Sequence, residues 1–213
     1  MFFTLSFNLI YSKMWKSVKE KFFEKEKKTS PFLIVGLGNP KDSYEKTTHN
    51  AGTRIVSILN EEENFPFFSR DNTVNGHISK SYIEDKEVIL MKPFSFMNLS
   101  GGPVKKAVKK FNIDLEKLLI VHDDTDLPIG KVRFSYSRGA AGHNGVLSVI
   151  KALGTKDFWR LRVGVSLNKN EKAKNIVLKN LPKEAIEVEK EAAEELKKTV
   201  LSGLTNKTVE TKV

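Results

Sequence analysis

Phe32-Leu33-Ile34-Val35-Gly36-Leu37 is an unbroken apolar run that closes on glycine, and the polar stretch GNPKDSYEKTTHN follows at 38–50. A short apolar run with no alternation is the pattern of a strand buried on both faces. The pattern returns in LEKLLIVHDD (115–124), again ending in polar residues. Between the two runs, Ile55, Val56, Ile58 and Leu59 recur at helical spacing. VNGHISKSYI (74–83) and KEVILMKP (86–93) flank a short turn and predict a hairpin. Val104, Ala107, Val108 and Phe111 form an i, i+3, i+4, i+7 stripe, with Lys105, Lys106, Lys109 and Lys110 on the other face. DLPIG (126–130) reads as a loop and KVRFSYS (131–137) as a half-buried strand. A helix follows through Val146, Val149, Ile150 and Leu153, then a strand in WRLRVGVSL (159–167). EKAKNIVLKNL (171–181) and PKEAIEVEKEAAEELKKTVLSG (182–203) read as helices, and GLTNKTVETKV as a frayed end. Alternating helices and strands, with one hairpin, predict an α/β fold: a single globular domain in three layers, with a central mixed twisted sheet flanked by helices.

The chain of 213 residues suits one domain, assigned here to 31–213, preceded by an extension at 1–30. With 39% hydrophobic and 29% charged residues, the composition is neither that of a disordered chain nor that of a membrane protein. No window approaches the length of a membrane span. The absence of cysteine excludes disulfides, thiol nucleophiles and thiolate metal sites. The formal net charge of +10 stays positive after the lysine-rich extension is set aside, which suits a partner with phosphates. The extension, MFFTLSFNLIYSKMWK and then KEKFFEKEKK, is apolar and then basic. It reads either as an organellar targeting segment or as an amphipathic addition without a targeting role; Glu20, Glu24 and Glu26 count against the first.

Five polar clusters stand beside the apolar elements: Asn39; Tyr44 with His49-Asn50; Phe96-Met97-Asn98; His122-Asp123-Asp124; and His143-Asn144. Strand ends converge in a sheet fold, so such clusters can share one cleft outside the carboxyl ends. A neutral histidine can take a proton from water, and a carboxylate on its other ring nitrogen fixes its tautomer. Asparagines can donate to a carbonyl or an oxyanion. This set suits hydrolysis of an ester or amide by activated water. No serine stands in G-x-S-x-G, and none of His49, His77, His122 and His143 has H-x-x-x-H or H-E-x-x-H spacing, so no catalytic metal is expected. Gly36-Leu37-Gly38-Asn39 is not a dinucleotide fingerprint, because Lys41 takes the last glycine's place, and no cofactor is expected.

Five segments in order, IVGLGNP (34–40), THNAG (48–52), FMNLSG (96–101), VHDDTDLPIGKVR (121–133) and GHNG (142–145) followed by RLRVGV (160–165), carry a resemblance. From about Phe32 to Gly203 the chain resembles the bacterial-type peptidyl-tRNA hydrolase family. The resemblance implies a single α/β globule that hydrolyses the ester between an N-blocked peptide and the 3′-terminal ribose of tRNA. It implies His49 as the base that activates water and Asp123 as the residue that orients it. Asn39, Asn98 and Asn144 are implied to contact the substrate, with Tyr44, Phe96 and Met97 near its adenosine end. His143 is implied to shape the cleft, while Asp124 and Asp126 are expected in loop or cap roles. Candidates for tRNA backbone contacts are Lys105, Lys106, Lys109 and Lys110 on the basic helix face and Lys131, Arg133 and Arg138 beyond it. The implied partner is the acceptor arm and 3′ end of peptidyl-tRNA, with no membrane, and the family implies a monomer.

The chain departs from the family pattern at Pro40-Lys41, at Thr47-Thr48, at Ala140 and Ala141 in the glycine-rich stretch, and at Ser135, where a basic residue is common. These departures bear on loop geometry and tRNA affinity. Two rival readings are a non-catalytic RNA-binding relative of the same fold and a small-molecule esterase. The extension outside the resemblance points to an organelle-directed member, mitochondrial for instance, with a cytoplasmic protein as the alternative.

Overall fold

The computed structural model describes residues 30–166, 184–204 and 210–212. The extension and the helix expected over 171–181 therefore lie outside the described residues. The run that opens the domain is strand β1 (Phe32–Gly36), and all five of its residues are buried. Its neighbours are β4 (Lys86–Pro93) and β5 (Leu118–Pro128), both parallel to it, with Val35 opposite Met91 on one side and Ile120 on the other. A strand in this position has no face for water, which is why its sequence does not alternate.

Among the described residues the sheet has the order β2 (Ser69–Asp71), β3 (Gly76–Ile83), β4, β1, β5, β7 (Trp159–Ser166), β6 (Lys131–Tyr136), β8 (Glu210–Lys212). β2 and β3 add antiparallel strands beyond β4. β3 and β4 form the expected hairpin, with Ile83 opposite Lys86 around Glu84-Asp85. On the other flank, β7 runs parallel to β5, and β6 runs antiparallel to β7. The structure corrects two sequence expectations here. β5 continues through 126–128, which had read as a loop. Glu210–Lys212, which had read as a frayed end, forms β8, paired with the edge of β6.

Among the described residues, four α-helices cover the two faces. α1 (Ala51–Glu62) and α4 (Glu184–Leu201) lie on one face, where Ile55, Val56, Leu59, Ala193, Leu196 and Val200 pack on Ile34, Leu90 and Val121. α2 (Gly101–Lys110) and α3 (Asn144–Leu153) lie on the other, where Val104, Ala107, Val146 and Val149 meet Leu33, Val35, Ile89 and Ile120. Each stripe recurs at three and four residues, so each helix buries one face only. Ser100 stands at the start of α2, where its hydroxyl donates back to the Met97 carbonyl at 2.9 Å and does not cap the helix. α3 stops at Gly154, whose φ of 77° ends the helix in the left-handed region.

The beginning of α1 is set against the end of β1 by backbone contact. A Cβ on Gly36 would lie 2.3 Å from the Gly52 carbonyl oxygen, and one on Gly52 would lie 2.3 Å from that of Val121. Two glycines therefore let the helix start sit directly on the carboxyl ends of β1 and β5. Gly52→Ala should cost about 1–3 kcal/mol by overpacking, read as a lowered urea midpoint, because backbone cannot move aside as a flexible side chain would.

Candidate active site

Asp123 lies midway along β5, two residues past Val121, the last to pair with β1, and is 1% exposed. Its Oδ1 accepts two hydrogen bonds, from His49 Nδ1 at 2.8 Å and from His143 Nε2 at 2.9 Å. The tautomers follow from the partners of His143. Nδ1 of that ring accepts the backbone N–H groups of Gly145 (3.1 Å) and Val146 (3.2 Å) at the start of α3, so it carries no proton. Nε2 must then hold the proton and donate it to Asp123. On His49 the donor is Nδ1, which leaves Nε2 with a free lone pair. His49 is 13% exposed at its side chain and lies in a 3-10 turn, Thr48–Asn50, immediately before α1. The rings of His49 and His143 are 5.0 Å apart.

Burial alone would raise the Asp123 carboxyl, but its two imidazole partners, His143 foremost, hold it well below the ordinary carboxylate range. His122 is the reverse case. Burial first, then the neighbouring His143, pushes it well below the ordinary histidine value. Its Nδ1–H donates to the Asp123 backbone carbonyl at 2.6 Å, and its Nε2 is buried without a hydrogen bond among the described residues. His122 is thus a neutral packing partner of His143, with the rings 4.7 Å apart. One potential ligand atom from each of His49, Asp123 and His143 lies within 4.8 Å of the others, and both imidazoles are hydrogen-bonded to Asp123 Oδ1.

The asparagines divide into two kinds. Asn39 holds two loops together. Its Oδ1 accepts the Met97 N–H at 2.9 Å, which fixes the carboxamide orientation, and its NH2 makes no hydrogen bond among the described residues. Its own backbone is clamped by Asn50, which accepts from the Asn39 N–H (2.9 Å) and donates to its carbonyl (3.0 Å). Asn98 and Asn144 are exposed and line one cavity of about 450 Å³ with Leu147, Ser148 and Lys151. Phe96 is 43% exposed, with the Lys41 ammonium 5.6 Å from its ring centre. Met97 is 4% exposed, and its sulfur packs where a Cβ on Gly145 would have to go. Tyr44 closes the 3-10 turn Asp42–Tyr44 and is half-buried.

Of the basic candidates, Lys105, Lys106, Lys109 and Arg138 are exposed, while Lys131 and Arg133 are half-buried in β6. Lys110 is committed elsewhere, to Asp71 at 2.5 Å and Thr73 at 2.7 Å. Asp124 is a buried strand residue paired with Arg162 at 2.6 Å, which corrects its expected loop or cap role. Asp126 likewise stands in β5. The signal was present in RLRV, since alternate arginines in a strand buried along its whole length need acceptors. Arg160 reaches the Gly139 carbonyl at 2.9 Å and so tethers the stretch that delivers His143. Within that stretch Ala141 has φ 47°, a conformation that costs alanine more than glycine. Sequence reasoning also missed the clamp by Asn50 and the helix-capping bonds of His143, a residue type that seldom fills that role.

With this geometry in place, the chain was compared with known proteins. The family model described as peptidyl-tRNA hydrolase matches residues 33–213. The chain belongs to the peptidyl-tRNA hydrolase family. A peptidyl-tRNA hydrolase of Listeria welshimeri is 41% identical over 151 residues, which span 71% of this chain and 81% of that protein. One from Clostridium tetani is 38% identical over 166 residues, covering 78% and 85%. The crystal structure of peptidyl-tRNA hydrolase from Acinetobacter baumannii superposes with a TM-score of 0.69 at 32% identity, covering 82% of this chain and 87% of that one. A point variant of the Acinetobacter protein gives 0.74 at 31% identity, covering 83% and 91%.

A carboxylate held below its ordinary value adds stability that is full above its unfolded value, 3.8, and is lost as pH falls toward the folded value. Asp123→Asn should therefore be less stable than wild type near neutral pH. The gap between their urea midpoints should close as pH drops below about 4.

Proposed function

We propose that this protein is a peptidyl-tRNA hydrolase whose water is activated by His49. The observation that carries the reading is the paired acceptance of His49 and His143 by one buried carboxylate, because it leaves His49 Nε2 as a free base at the cleft. Nε2 takes a proton from water, and the hydroxide attacks the ester carbonyl that joins the peptide to the 3′-terminal ribose. The Asp123 charge stabilises the imidazolium that forms. The ester C–O bond then breaks, the departing ribose oxygen takes the proton from His49, and a peptide carboxylate and free tRNA leave. The NH2 groups of Asn39, Asn98 and Asn144 are suited to bind the carbonyl, the developing oxyanion and the peptide backbone. Tyr44, Phe96 and Met97 line the adenosine side, Phe96 as an exposed ring and Met97 as the packing behind it.

The exposed amines of Lys105, Lys106 and Lys109, together with Lys131, Arg133 and Arg138, contact the acceptor-arm phosphates. The protein acts as a monomer, and residues 1–30 direct it to an organelle. Among the described residues no helix is long and apolar enough to cross a membrane.

The test is release of N-acetylaminoacyl groups from tRNA by the full-length protein, beside His49→Ala. Wild type should release product, and the variant should lose about 10²–10⁴-fold in rate, the typical contribution of a general base. Binding of tRNA without release by the wild type would replace this reading with a non-catalytic RNA-binding protein. For the basic face, Lys105→Gln should weaken tRNA binding and lower its log-log salt slope by about 1. An unchanged slope would remove Lys105 from the interface.

A further inference from the structure

One side chain ties the segment that leads into His49 to two helices. Arg54 lies on α1. Its Nη1 donates to the Glu45 carbonyl at 2.5 Å and to the Thr47 carbonyl at 2.6 Å. The opposite edge of the guanidinium forks onto Glu189 of α4: Nε lies 2.9 and 3.1 Å from the two carboxylate oxygens, and Nη2 lies 2.7 Å from Oε1. Glu189 is 4% exposed at its side chain and Arg54 is 19% exposed. One planar group thus joins three elements: the 45–48 segment, α1 and α4.

The surroundings make this tie decisive. Behind the segment lies a cavity of about 850 Å³. Asn39, Glu45 and Lys46 line its loop side, and Arg54 and Glu189 line it opposite. Neither His49 nor Asp123 lines this cavity, although it is the larger one. Within the segment, Thr47 Oγ1 donates to the Tyr44 carbonyl at 2.7 Å, a local bond. Thr47 and Thr48 are buried, while at Glu45 and Lys46 open space stands where packing would otherwise fix the loop. A buried ion pair is also a poor device for stability alone, since apolar residues of similar size do as well or better. Burial pushes the Glu189 carboxyl up, and the Arg54 guanidinium opposes that shift. What the pair supplies, and an apolar pair would not, is a fixed direction for two carbonyls just before the base.

We infer that Arg54 and Glu189 form a positioning pair for His49, holding the 45–48 segment so that the imidazole Nδ1 meets Asp123 Oδ1 at 2.8 Å. The inference rests on the hydrolase reading for what His49 does, though not for where it sits. Arg54 and Glu189 touch no reacting atom in this assignment. They act through the loop.

The experiment compares full-length wild type with Arg54→Lys and with the double variant Arg54→Met/Glu189→Met, in the N-acetylaminoacyl-tRNA assay. The double variant replaces both charges with apolar chains of similar length, so it should fold with a cooperative melt close to wild type. Its kcat should fall about 10-fold or more, with KM within about 3-fold, because the base is misplaced while the tRNA surface is intact. Arg54→Lys should recover little of the kcat, since the single nitrogen of an ammonium cannot span the carbonyls on one edge and the carboxylate on the other as the planar guanidinium does. In parallel, ¹⁵N NMR should show the His49 Nδ1–H resonance shifted or broadened in the double variant. A folded double variant with wild-type kcat, or with an unchanged His49 resonance, would overturn the inference. Failure of the wild type to release product would instead sink the hydrolase reading, and the NMR comparison would still decide the positioning role.

Discussion

A carboxylate at 1% exposure must be paired or neutralised, and Asp123 is paired twice through a single oxygen. That demand organises the site. The two donors come from segments distant in sequence, one from the turn before α1 and one from the start of α3, and each must present a particular ring nitrogen. For His143 the tautomer is dictated by two backbone N–H groups of the helix it caps. The orientation of a helix is thereby transmitted through one imidazole and one carboxylate to the lone pair of another imidazole. The same helix start carries Asn144, so the His49 ring and the exposed Asn144 amide share a frame.

The site could not assemble unless α1 approached the strand ends closely. The distances around Gly36, Gly52 and Val121 show backbone on backbone there. Leu37 adds a hydrogen bond to the Val121 carbonyl at 3.0 Å, which continues the β1–β5 pairing past the end of the regular strand. The continuity from β1 into the loop fixes Asn39, and Asn50 at the start of α1 holds it from the other side. Sheet geometry and the 38–50 loop are one construction here, because the same parallel strands that bury Leu33 and Ile120 deliver the polar residues that follow them.

Much of this was legible in the sequence, and the boundary of legibility has physical causes. Strands β1, β4 and β7 were readable because strands buried on both faces have uninterrupted apolar runs or a clear stop. The helices were readable from stripes at three and four residues. β2 was missed because an edge strand of three residues, SRD, has no apolar pattern at all. β8 was missed because ETK is specified by its partner β6, not by its own side chains. In the site, His49 and Asp123 were found by motif, and the structure then showed them hydrogen-bonded. The double duty of His143, the Asp124–Arg162 pair and Arg54–Glu189 were not found, because each depends on a partner that periodicity does not reveal. Arg54 and Glu189 are the extreme case: both look like solvent-facing charges on amphipathic helices, and only the packing of α1 against α4 removes them from water.

The charges of the molecule fall into two populations that respond differently to the solvent. Asp123, Asp124, Arg162 and Glu189 are each under a tenth exposed and paired at hydrogen-bond distance. Lys105, Lys106 and Lys109 stand in water with no ion pair among the described residues. Dissolved salt screens exposed charges separated by more than about 8 Å at physiological ionic strength and reaches buried pairs far less. Ionic strength therefore acts on attraction of a polyanion to the lysine face while leaving the His49–Asp123–His143 geometry in place. Salt therefore tunes attraction at the surface separately from the geometry of the buried cluster. The attraction rests on surface cations that many sequences could supply. The cluster rests on two imidazoles whose tautomers are fixed by one carboxylate oxygen and one helix terminus, and few rearrangements of the sequence would reproduce it.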